Sequence, residues 1–207
     1  MVEPLDLSRP HVDPSLVLRM QKYRKLDRVS PVVKELAREA AILAEALAEP
    51  RGWMRREPMG NVGLDGNVRI GGGIEFHSLA LARLLRKATE AVLVVLTIGP
   101  DLEQRVQRLV DEGQLVEGLL LDTAGWVAID AMMKNLRQWL ERDARSRALR
   151  LSGRMAPGFK DFALDQQRIL FGALAEGRLT VHLTEACVML PLKSVSGVYG
   201  LIPGATT

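Results

Sequence analysis

Apolar residues recur at spacings of three and four through Leu36, Ala40, Leu43 and Leu47, which predicts an amphipathic helix with that stripe buried. Its limits are written into the chain, with Ser30 as N-cap, Pro31 at the first helical position and Pro50 beyond the end. A shorter helix is predicted upstream in "DPSLVLRMQKYR", opened by Asp13-Pro14, with Leu16, Val17 and Met20 sharing one face. The period then drops to two. Val62, Leu64, Val68 and Ile70 alternate around Asp65-Gly66, a hairpin with a tight turn.

Ser78 caps a predicted helix in "SLALARLLRKATEA", which leads into the strand "VLVVLTIG". After Gly99-Pro100 comes "DLEQRVQRLVDEG", a helix with Asp101 near its N-cap and Gly113 past its end. One long helix follows from Leu115 to Arg150. Its small residues Gly118, Ala124, Gly125, Ala128 and Ala131 predict close packing against another element, the sheet. From residue 152 the texture changes to loop, helix and strands. "FALDQQRILFGAL" is the helix, with Leu164, Ile169 and Leu170 among its apolar positions. "RLTVHLTEACVMLP" holds two short strands, and "SVSGVYGLI" is another. Helices interleaved irregularly with hairpin-like strands predict an α+β fold, a single domain with a twisted, largely antiparallel sheet flanked by helices. Residues 1–50 are expected to form a helical segment packing on a core of residues 51–207.

Composition narrows the function classes. A hydrophobic share of 47% over 207 residues supplies a sizeable core. Lys and Arg number 28 against 25 Asp and Glu, too balanced for a nucleic-acid partner. The local clusters "RMQKYRKLDR" and "RDARSRALR" read as solvated helix faces or ends. The first residues carry no basic start or apolar signal core, and the longest apolar run is half a membrane span, so no membrane partner and a cytoplasmic location are expected. The lone Cys187, in an apolar strand-like run, excludes an internal disulfide and reads as a buried, inert thiol. Gly71-Gly72-Gly73 lacks the Lys-Ser/Thr of a phosphate loop and reads as a strand-end loop. Asp122 and Asp130, eight residues apart, share a helix face, where surface or capping roles are the default over a catalytic carboxylate pair. Neither a catalytic triad nor a metal cluster is found.

Two ordered stretches remain. "RMAPGF" at 154–159 opens one, and the other runs through Leu183-Thr184-Glu185, Met189-x-Pro191 and Ser194-Val195-Ser196-Gly197-Val198-Tyr199. Together they resemble the activation domain of cobalamin-dependent methionine synthase, and most of the chain looks like a stand-alone member of that family. The resemblance implies a component without turnover of its own, which binds S-adenosylmethionine and presents it to cobalamin carried by a partner protein. It also implies a methionine synthase or another corrinoid protein as that partner, with a flavodoxin-like electron donor. The cofactor-binding residues it implies are Arg154, Ala156, Gly158, Phe159, Tyr199 and Gly200, with Glu185 as a further candidate.

The residue types suit that ligand. A guanidinium forks onto a carboxylate as lysine cannot. Pro157 stiffens the turn after Arg154, and Gly158 admits a ligand closely. Phe159 or Tyr199 could stack on adenine. Against these stand plainer roles: Arg154 in a salt bridge, Tyr199 as a core aromatic, Glu185 as a buried structural carboxylate and His182 turned to solvent. The sequence departs from the family where Phe159 replaces a tyrosine, where "KDFALD" follows it, and in lacking a match to the N-terminal acidic ligand. An alternative keeps the fold as a docking module for a corrinoid protein or reductase, with S-adenosylmethionine binding lost.

Overall fold

In the computed structural model the structure describes residues 1–204. The elements in order are β1 (Val2–Pro4), α1 (Pro14–Met20), α2 (Pro31–Leu47), β2 (Arg51–Val62), β3 (Asn67–Ile70), β4 (Ile74–His77), α3 (Leu79–Leu85), β5 (Glu90–Thr97), α4 (Asp101–Asp111), α5 (Leu115–Ser146), β6 (Leu149–Leu151), α6 (Gln167–Leu174), β7 (His182–Leu183), β8 (Met189–Leu190) and β9 (Ser194–Pro203). The main sheet runs β4-β3-β2-β5-β9-β6, every pair antiparallel. β1 adds to β2 through Val2 opposite Arg55 and Pro4 opposite Trp53. β7 and β8 form a separate small hairpin.

The unbroken apolar run of β5 has a physical reason: both faces of the strand are covered. Val92, Val94 and Leu96 enter one core with α1, α2, α4 and α5. Ala91, Leu93 and Val95 enter a second with α3, α6 and the β3–β4 hairpin. Residues 1–50 supply α1, α2 and β1, and Val12, Val17, Ala40 and Ala44 belong to the first core.

The caps are made as the sequence predicts. Asp13 accepts from the Ser15 N–H at 2.8 Å, Ser30 from that of Val33 at 3.3 Å and Ser78 from that of Leu81 at 3.0 Å. Several buried faces differ from the expected stripes. α1 buries Val17 and Leu18, leaving Leu16 and Met20 exposed. α2 buries Ala37, Ala40, Ala41 and Ala44, with Leu36, Leu43 and Leu47 packed half-buried at the core's margin. Leu64 projects from the turn into solvent while Val62 and Val68 pair. The predicted helix at 162–174 splits into a 3₁₀ turn, Leu164–Gln166, and α6, where Leu170 is buried but Leu164 and Ile169 are exposed.

α5 extends over 32 residues to Ser146. Its small residues admit α4 and a side chain from the sheet's connection: a Cβ on Gly118 would meet Val110 at 3.3 Å, and one on Gly125 would meet Leu102 at 2.8 Å and Lys193 Cε at 3.0 Å. Cys187 is buried, yet it sits in the β7–β8 turn at φ 61° and not within a strand. Glu185 occupies the same turn and is exposed, so it is not a buried strand carboxylate. Among the described residues no helix is long and apolar enough to cross a membrane.

Candidate functional site

Beyond β6 the chain stays beside β9. Ser152 donates its N–H to Gly200 O at 2.9 Å, and Met155 and Val198 exchange backbone bonds at 3.0 and 2.7 Å. Side chains on β9 alternate across the sheet. Val195, Tyr199 and Leu201 pack with the helical core, and Val198 with the other. Arg154 lies across Gly197: a Cβ there would fall 2.7 Å from Arg154 Cγ and 2.8 Å from Cδ. The guanidinium donates through Nη1 to Ser196 O, a carbonyl, and the alternative of a salt bridge with a neighbouring carboxylate is not formed among the described residues.

Arg154, Tyr199 and Val195 thereby border a groove of about 580 Å³. α1 lends it Leu16 and Met20, and α5 lends Trp126, Val127, Ile129, Asp130, Met133, Lys134 and Arg137. Tyr199 is only 1% exposed. Burial pushes its phenol above the ordinary value, Arg154 and Arg137 pull it down, and Glu141 adds to the rise.

The other residues implied by the resemblance are distributed differently. Ala156 is buried at the start of a turn in which Gly158, at φ 91°, donates its N–H to Phe162 O at 2.7 Å. Phe159 is 59% exposed at the tip and is not among the groove's lining residues. Asp161 pins this turn to the start of α3, accepting from the Leu79 N–H at 2.6 Å, Ser78 Oγ at 3.0 Å and the Ala80 N–H at 3.1 Å. Gly200 points away from the groove; a Cβ there would strike Leu85 of α3 at 2.7 Å. Glu185 stands apart in the β7–β8 turn, where its carbonyl accepts from Arg168 at 2.6 Å.

The groove walls are the part sequence reasoning missed. Leu16 and Met20 read as core residues, and Trp126, Met133 and Arg137 are scattered through one long amphipathic pattern. The available signal was their shared helical face: positions 126, 133 and 137 fall on one stripe of α5. Behind that wall stands Lys193, whose side chain is 2% exposed and whose ammonium donates to Asp122 Oδ1 at 2.6 Å. The same ammonium lies 4.4 Å from the Trp126 ring centroid. Asp130 pairs with Lys134 at 2.7 Å, so the two carboxylates of α5 serve separate ion pairs.

No protein-family model and no curated protein sequence matches the chain. Among solved structures, the crystal structure of the MetH reactivation domain bound to AdoHcy aligns with a TM-score of 0.70 and 16% identity, over 100% of this chain and 80% of that one. The likeness establishes the fold: this is an α+β domain built like the MetH reactivation domain.

Proposed function

We propose that the chain is an S-adenosylmethionine-binding reactivation subunit, a stand-alone counterpart of the MetH reactivation domain, acting in trans on a cobalamin-dependent methionine synthase or related corrinoid methyltransferase. The observation that carries this reading is the meeting of Arg154 and Tyr199 at one groove, in a fold shared with a domain bound to AdoHcy. The groove's size lies within the ~300–1,000 Å³ of small-molecule sites. Its walls are apolar enough for an adenosyl group, and its guanidinium suits a carboxylate.

Cobalamin on the partner would supply the methyl-accepting metal, and the sulfonium would supply the methyl group. This chain's part is to bind and orient, which needs no side-chain acid or base. Well-oriented reactants gain up to ~7–11 kcal/mol from such placement. Gly197 gives Arg154 its place, and burial pushes the Tyr199 phenol above its ordinary value.

Titration calorimetry with AdoHcy and S-adenosylmethionine tests the reading. The wild type should give heat with both, and Arg154→Ala should bind about 10- to 100-fold more weakly, the equivalent of a lost charged hydrogen bond. Methylcobalamin regeneration on a partner lacking its own reactivation domain should then depend on this chain. A docking module without ligand binding is the second reading, favoured by the exposed apolar Leu16 and Met20 at the groove. Absence of heat from the wild type, with a stable complex to a corrinoid protein, would select it.

A further inference from the structure

We infer that the groove has a fixed polarity, with Trp126 as the platform for a purine and Arg137 joining Arg154 to hold the carboxylate at the other end; this rests on the proposed S-adenosylmethionine reading. Eleven residues of α5 separate Trp126 from Arg137, a rise of about 16 Å at ~1.5 Å per residue. Eleven residues also return to nearly the same helical face, so both side chains border the same groove, with Met133 between them. An extended nucleoside–amino-acid thioether has comparable length, with an aromatic base at one end and a carboxylate at the other.

The two ends differ in chemistry. At the first, Trp126 is 40% exposed at the groove while the Lys193 ammonium engages its ring from a buried position. A ring already serving one cation is a poor seat for a sulfonium and a good one for a neutral purine. The aromatics considered from sequence are less suitable: Tyr199 is buried, and Phe159 lies outside the groove lining. At the second end, Arg137 holds Glu141 through Nε at 2.9 Å and borders the groove with Arg154. Arg154 commits Nη1 to Ser196 O. Both guanidiniums are close enough to Tyr199 to pull its phenol down against the effect of burial.

The test uses two probes on the full chain: AdoHcy, and 5′-methylthioadenosine, which keeps purine and thioether but lacks the carboxylate. Trp126→Ala should weaken both probes by the same factor, about 5- to 100-fold, the range for one lost base–aromatic stack. Trp126→Phe should stay within about threefold of wild type. Arg137→Ala should weaken AdoHcy about tenfold and leave 5′-methylthioadenosine unchanged. A cooperative melting transition well above the assay temperature establishes that each variant is folded. AdoHcy binding unaffected by Trp126→Ala and Arg137→Ala, but lost in Arg154→Ala, would overturn the polarity and leave the proposed function standing. Equal loss of both probes in Arg137→Ala would also overturn it. No binding of either probe by the wild type would remove the functional reading itself.

Discussion

Replacing Asp122 with alanine would leave the Lys193 ammonium enclosed, 2% exposed, with the Trp126 ring as its remaining electrostatic partner. Breaking a fully buried pair by deleting one member costs about 3–5 kcal/mol. The Asp122 side chain is 41% exposed, so water already screens part of this pair. The ring retains ~0.5–2 kcal/mol of attraction for the cation, and alanine raises helix propensity by up to ~0.7 kcal/mol. The expected loss is therefore about 2 kcal/mol, or a melting point lower by roughly 4–8 °C for a chain of this size. Lys193→Met behaves differently. It keeps an apolar stem beside Gly125, removes the buried charge, and leaves Asp122 free to hydrate, so it should stay within about 1 kcal/mol of wild type. Urea unfolding, with the denaturant slope unchanged among the three proteins, measures both. Equal destabilisation by the two substitutions, or a loss below about 0.5 kcal/mol for Asp122→Ala, would refute the reasoning.

Gly197→Ala would place a methyl group against Arg154 Cγ and 3.1 Å from the backbone oxygen of Met155, so Arg154 must leave its place beside Tyr199. The variant should remain folded in circular dichroism, destabilised by about 1–3 kcal/mol, and lose AdoHcy affinity about as far as Arg154→Ala does. For Asp161, burial works against ionisation, but the hydrogen bonds from Ser78, Ala80 and Leu79 outweigh it and hold the carboxyl below its ordinary 3.8. A depressed folded value contributes stability above pH 3.8 that disappears as pH falls through the folded value. Asp161→Asn should accordingly flatten the fall in melting temperature below about pH 4, and an acid limb identical to wild type would contradict this.

Local signals in the sequence were reliable where the chemistry is local. The caps at Asp13, Ser30 and Ser78 and the turn at Asp65-Gly66 need only neighbouring residues. The run in β5 was visible as a strand, but its two separate cores depend on which helices land on each face. Arg154 and Tyr199 could be picked out as a pair; that Gly200 faces α3 follows from the register of β9, where one step along the strand changes sides. Leu16 and Met20 carry the pattern of core residues, yet α1 turns Val17 and Leu18 inward and leaves them at the groove. Lys193 gave no signal at all. Its burial depends on the gap at Gly125 and the carboxylate of Asp122, both about seventy residues away along the chain.

A crystal structure of the protein with AdoHcy in excess tests the central claim most directly. The account predicts the ligand along the groove between α1, α5 and β9, its carboxylate within hydrogen-bonding distance of Arg154 and its thioether chain passing the Tyr199 ring. Ligand bound at another surface, or a groove still vacant at saturating AdoHcy, would contradict it.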